Sequence, residues 1–244
     1  MNMRITRRAG AGVLLAAVLA AGGCGPAEPV GETASAPPSA PAKPKDATAA
    51  LSAAAGELTR TTYRMSMDMA GQGTMTGLID SNNKIYEYVM VNIAAGKTST
   101  TTVRAVGGVT YVKVKMTYAD GQPGAEGRWR KAAGDDGFGK LAGADIAEST
   151  RTSLASATDV QWVGADRVRG VVDLVEMIRA NGEKPPAGAR PGEAMMPFEA
   201  SFDDQGRLAS YRFTKAPESS AVKFFDFGVA VDIKAPPAAE IAAR

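Results

Sequence analysis

YRMSMDMAGQGTMTGLIDSNNKIYEYVMV, residues 63–91, decides the fold class. Tyr63, Met65, Met67 and Met69 alternate with Arg64, Ser66 and Asp68, the two-residue period of a strand with one buried face. AGQGTM at 70–75 reverses the chain into a second strand through Met75, Gly77 and Ile79, and DSNNK at 80–84 reverses it again into IYEYVMV at 85–91. Consecutive short strands joined by tight turns predict an antiparallel meander. TSTTTVRAV at 98–106, the pair Gly107–Gly108 and VTYVKVKM at 109–116 extend it by a hairpin, with Val112, Val114 and Met116 alternating against Lys113 and Lys115.

On either side of the meander the period changes. Asp46 predicts the cap of a helix over 47–59, with Leu51, Ala55 and Leu58 on one face. Downstream, 117–128 reads as a loose Gly/Asp/Pro region, with Trp129 as a strand residue closing this half. Residues 138–157 carry helical patterning around Phe138, Leu141, Ile146 and Leu154. VQWVGADRVRGVVDLV at 160–175 predicts two short strands or a strand and turn, followed by a helix over 174–180, and Pro185 to Gly192 predict a surface loop. MPFEASFDDQGRLASYRFTK is a hairpin turning at DDQG, and AVKFFDFGVAVDIKAP at 221–236 reads as a last strand. The fold class is α+β: one large antiparallel sheet with two or three helices gathered on one face.

The N-terminus is of another kind. Arg4, Arg7 and Arg8 precede an apolar run, Val13 to Ala20, too short to span a bilayer as a helix of about 20 residues. This is the pattern of a secretory signal peptide over 1–23. Small residues then lead to Cys24, the single cysteine of the chain. The junction resembles the bacterial lipobox, in which the cysteine is acylated and becomes the first mature residue; Ala21 stands where that pattern favours Leu. Two other readings are a buried free thiol, disfavoured because no foldable pattern surrounds Cys24, and an incidental cysteine in a secreted protein cut near Ala21. Residues 24–46, with six prolines among Ala, Ser, Gly and Glu, read as a disordered tether. Two or more acyl chains on Cys24 would make release from a membrane negligible.

Removing the signal peptide takes Arg4, Arg7 and Arg8 away, so the formal net charge falls from +2 to −1. No cationic tract remains to suggest nucleic acid. The chain has no histidine and one cysteine, which removes the Ser-His-Asp triad, the Cys-His pair and the usual zinc sites. Asp203 and Asp204 read as turn residues, GQGTMTG at 71–77 has the wrong glycine spacing for a dinucleotide loop, and Asp135–Asp136 lack a calcium-loop register. No catalytic constellation, cofactor or metal site is expected.

The order YRMSMDM with its meander, GGVTYVKVKM leading to GRW, VGADRVRG leading to VVDL, FDDQGRLASYRF and VKFFDFGVAVDIKAPP resembles the actinobacterial lipid-carrying lipoproteins of the LppX/LprA/LprF/LprG type. The resemblance covers about 47–238, leaving 239–244 as a tail, and it implies the curved half-barrel of the carrier LolA, with helices on the concave face around an apolar cavity. It implies an extracytoplasmic protein held at the cell membrane through acylated Cys24, binding lipid or glycolipid as a monomer and working with envelope transport proteins. Where such proteins continue with a Thr/His/Tyr-rich segment, this chain reads VRGVVDLVEMI. Met65, Met67, Met69, Met75, Ile79, Val112, Val114 and Met116 are the candidate cavity lining. By themselves these residues favour an ordinary core under helices; the resemblance implies a lipid cavity, which flexible thioethers suit. A different function class, an envelope adaptor or sensor that binds protein partners through its sheet edge or loops, fits the same elements.

Overall fold

The computed structural model describes residues 44–69, 71–118, 122–132, 146–215 and 218–243. The signal segment, Cys24 and most of the tether lie outside the described residues, as do Phe138 and Leu141.

Asp46 caps the first helix, α1 (Ala47–Glu57), by accepting the Ala49 N–H at 2.8 Å. Leu51, Ala55 and Leu58 at the end of this segment are fully buried, and each leucine contributes about 1.5–3 kcal/mol by leaving water. The meander comes next: β1 (Thr62–Asp68), β2 (Gly73–Asp80), β3 (Ile85–Ala94), β4 (Lys97–Val106) and β5 (Val109–Tyr118). Gly107 and Gly108 both take positive φ, the geometry of a two-residue hairpin turn. Two short strands, β6 (Pro123–Glu126) and β7 (Arg130–Lys131), both pair with β5. The second half comprises α2 (Ile146–Ala155), β8 (Ala157–Trp162), β9 (Arg167–Asp173), α3 (Leu174–Ala180), β10 (Met195–Phe202), β11 (Leu208–Lys215) and β12 (Glu218–Phe225).

All twelve strands join one antiparallel sheet in the order β6-β5-β4-β3-β2-β1-β12-β11-β10-β9-β8, with β7 off the path on β5. The sheet is open, with β6 and β8 at its ends. It consists of two local meanders joined at a single seam, where β1 pairs with β12 and Met65 stands opposite Phe224. The helices sit over the half built from β8 to β11: α1 packs against α2, β8 and β11, and α3 against α2 and β9. One hydrophobic cluster runs from Leu51 and Leu154 of the helices through Met65 and Phe224 at the seam to Val103 and Val112.

The last strand is shorter than the sequence suggests. The ladder stops at Phe225, where Asp226 (φ 53°) and Gly228 (φ 81°) turn the chain away. Beyond Gly228 the chain runs as an extended strap. The Gly228 N–H donates to the Thr62 carbonyl at 2.8 Å, Arg104 Nη1 donates to the Lys234 carbonyl at 2.8 Å, and Trp129 bridges in parallel to Ile241. Val229, Val231 and Ile233 are half-buried while Ala230, Asp232 and Lys234 are exposed. Alternation records a buried face, and a strap lying on a surface has one as surely as a strand in a ladder. Trp129 is accordingly buried against the strap and the Arg104 guanidinium, 5.0 Å from its ring, rather than by a strand of its own half.

Candidate functional site

Because the pairings share one face, rows of side chains cross the whole sheet. One row reads Val114, Thr101, Met90, Met75, Met67, Val222, Tyr211, Ala200 and Val168. The next reads Val112, Val103, Tyr88, Gly77, Met65 and Phe224. This is the inner face, the one the helices cover. Met67, Met75 and Met90 are direct cross-strand neighbours and form a ribbon of three thioethers on β1, β2 and β3.

The structure brings most of the sequence-derived lining residues into this surface. Met65, Met75, Ile79 and Val112 are buried in the core cluster, and Met67 and Val114 are half-buried against it. Met69 and Met116 are half-buried further along, near the β1–β2 turn and the end of β5. Three residues of β3 join them that the sequence does not single out: Tyr86, Tyr88 and Met90. Their signal is present in the alternation of IYEYVMV. Tyr86 and Tyr88 hold their rings 4.8 Å apart on this face.

Gly77 makes room for Tyr88. A Cβ at position 77 would meet the Tyr88 ring at 2.7 Å and Met65 Cγ at 3.0 Å. Without it, the ring lies across β2 onto Met65. The same device recurs in the other half, where Gly170 stands opposite Phe198 and a Cβ would meet that ring at 2.7 Å.

A groove of about 520 Å³ opens between α2, α3 and β11. Its apolar wall is Tyr211, Phe213, Met177 and Ile178; its polar wall includes Ser149, Thr152 and Asn181. Asn181 Nδ2 donates to the Met177 carbonyl at 2.9 Å and to Ser153 Oγ at 3.3 Å, which ties the end of α3 to α2. Burial pushes the Tyr211 hydroxyl above its ordinary pKa, and a hydrogen bond with the Thr150 side chain opposes this. At the rim, the Arg151 guanidinium hydrogen-bonds Glu148 and holds its carboxyl below the usual range. None of these groove residues is identifiable from sequence, because they converge from three segments with no shared motif.

Among the described residues, no three His, Cys, Asp or Glu side chains are grouped to hold a metal ion, and no helix is long and apolar enough to cross a membrane. The arrangement offers apolar surface, adaptable side chains and hydrogen-bond donors at one edge.

The solved structures similar to the chain include two lipoproteins. LprF from Mycobacterium bovis aligns with a TM-score of 0.48 and 11% identity over 78% of this chain and 96% of its own. The Mycobacterium tuberculosis lipoprotein LppX aligns with a TM-score of 0.33 and 13% identity over 77% of this chain and 97% of its own. No protein-family model matches the sequence, and no curated protein does.

Proposed function

We propose that this chain is a non-enzymatic lipoprotein, anchored through acylated Cys24 on the extracytoplasmic face of the cell membrane, that binds and carries lipid or glycolipid. The observation that carries the reading is the thioether ribbon of Met67, Met75 and Met90, whose outer members are half-buried on a face otherwise lined by valine and aromatic rings. Unbranched, polarizable side chains re-pack around irregular apolar guests at low cost. Acyl chains would lie along this face from β1–β3 toward the helix-covered half, with the polar head toward Ser149, Thr152 and Asn181. Burying about 15 methylenes contributes roughly 12 kcal/mol gross at about 0.8 kcal/mol each. The chains leave a bilayer rather than water, so most of this is offset and transfer stays reversible.

A second reading, an envelope adaptor that binds protein, draws support from Ile93 and Tyr118, which are 59% and 44% exposed at the ends of β3 and β5. One experiment separates the two. Protein purified from its host membrane is extracted with organic solvent for mass spectrometry, and the delipidated protein is then titrated with a fluorescent acyl lipid. Met67→Trp should lower uptake while shifting Tm little. A drop in Tm matching the about 1–3 kcal/mol of an overpacked core, with no extractable lipid and no uptake by the parent protein, overturns lipid binding.

A further inference from the structure

The outer face of the sheet is less uniform than the inner one. On β9, Arg167 and Arg169 project to it; on β11, Arg212; on β12, Lys223. The register places Arg169 and Arg212 on either side of Glu199, and Ser210 between Ser201 and Lys223. Ser201 and Ser210 share a hydrogen bond of 2.7 Å. Arg167 pairs with Glu199 at 3.1 Å, and this glutamate stands between Arg169 and Arg212. Arg169, Arg212 and Lys223 are exposed and have no carboxylate partner among the described residues. A depression of about 480 Å³ lined by Arg167, Glu199, Ser201, Ser210 and Arg212 marks the centre of the patch.

At the other end of the same face the charges are balanced differently. Lys113 and Lys115 both reach Glu126, at 2.9 and 4.0 Å, and Arg104 is paired with Glu87. Arg64, next to the patch, is paired with Asp226 at 3.5 Å. Among the described residues, Lys113 and Lys115 share the single Glu126 and Lys131 adds one more cation, so the larger excess of positive charge on this face is the one on β9–β12.

The described residues begin at the β8 edge of the sheet, on its inner side. The Lys45 carbonyl accepts a hydrogen bond from Trp162 Nε1 at 3.2 Å, and Trp162 stands opposite Val168, the residue between Arg167 and Arg169. Strands lie about 4.8 Å apart. The chain thus enters on the inner side of the β8 edge, one strand from β9, whose opposite face carries Arg167 and Arg169.

We propose that the outer face of β9–β12 rests on an anionic lipid surface, with Arg167, Arg169, Arg212 and Lys223 against the headgroups. Anionic lipids attract basic residues held within a Debye length of the surface. The occupant is a bilayer rather than a soluble polyanion because, on the anchoring reading, a segment of some twenty residues, Gly25 to Lys45, keeps the patch at high effective concentration beside one. A patch too weak to hold a free protein then suffices to orient a tethered one. It leaves the inner face and the α2–α3 groove directed away from the sheet side that touches the membrane.

The test removes the anchor so that its outcome does not depend on acylation. Among the described residues every core residue lies at or after Ala47, so a chain begun at Gly25 keeps all of that core. This chain is sedimented with vesicles of phosphatidylcholine alone and of phosphatidylcholine with phosphatidylglycerol, at millimolar lipid and at low and high salt. Binding should require phosphatidylglycerol and fall about tenfold or more at high salt. The triple variant R169Q/R212Q/K223Q, all at exposed positions, should lose binding by about tenfold or more, and K113Q/K115Q by less than about twofold. Equal binding to both vesicle types, or binding that the triple variant leaves unchanged, overturns the proposal. Retention on a polyanion column without vesicle binding overturns it in favour of a soluble polyanionic partner. Loss of the anchor itself is read separately, from the partitioning of the Cys24→Ser full chain.

Discussion

Gly77→Ala tests the packing of the inner face at its tightest point. The added methyl would sit 2.7 Å from Tyr88 Cδ1, 2.9 Å from Cε1 and 3.0 Å from Met65 Cγ. Real Cβ atoms do not approach a ring that closely, so the Tyr88 side chain must swing off β2, and Met65, which is 1% exposed, must yield with it. Overpacking of this kind costs about 1–3 kcal/mol. Alanine recovers about 0.4–1 kcal/mol by restricting the unfolded chain. The net is about 0–2.6 kcal/mol, and its midpoint of about 1.3 kcal/mol lowers Tm in a domain of this size by roughly 3–5 °C. The decisive measurement is a double-mutant cycle with Tyr88→Ala, followed by thermal or urea unfolding. Tyr88→Ala alone should cost about 3–5 kcal/mol as a large aromatic lost from the core. In that background, Gly77→Ala should be neutral or stabilising, since the methyl now enters the space the ring has left. If Gly77→Ala costs as much without the ring as with it, the glycine is there for its backbone, and the argument that it seats Tyr88 is wrong.

Asp173 accepts the Gly192 N–H at 2.6 Å and the Val175 N–H at 2.9 Å, and these bonds, the one from Gly192 first, hold its carboxyl below the ordinary aspartate pKa. A depressed folded pKa stabilises the fold above the unfolded value of about 4 and loses that effect as pH falls through the folded value. The Tm difference between the parent protein and Asp173→Asn should therefore be full at neutral pH and shrink in acid; a difference that stays constant down to acid pH contradicts the assignment. Cys24→Ser should leave the folded domain intact, because among the described residues the core begins at Ala47, and should move the protein from the detergent phase to unprocessed precursor or soluble material. A processed, membrane-bound Cys24→Ser protein would reject acylation as the anchor.

The meander is legible in the sequence because each strand carries its own alternation and each turn its own chemistry. Tyr63, Met65 and Met67 against Arg64, Ser66 and Asp68 mark one face without reference to any other part of the chain, and Gly107–Gly108 marks the reversal. The 174–180 helix lies where the sequence places it, and in the structure Asp173 caps it. What the sequence withholds is non-local. Nothing in YRMSMDM says that its free side meets VKFF more than 150 residues later, and nothing in Trp129 says that it bridges to Ile241. The strap reads as strand because Val229, Val231 and Ile233 alternate correctly while lacking a ladder. The groove stays hidden because Ser149, Asn181 and Tyr211 become neighbours only after α2, α3 and β11 have packed.

The seam between β1 and β12 sets the order in which this molecule can be completed. Each meander is assembled from contacts close in sequence, which form fast, whereas the seam joins the first strand to the last and carries the largest single loop-closure cost of the sheet. Until β12 arrives, β1 and β11 both present bare edges, the surfaces on which chains aggregate. A chain emerging N-terminus first can therefore build its first sheet half early but cannot close its centre until almost the whole length has emerged. Ribosome stalling or cleavage anywhere between Leu208 and Phe225 would leave two half-sheets with matching sticky borders, able to pair with a second broken copy instead of with themselves.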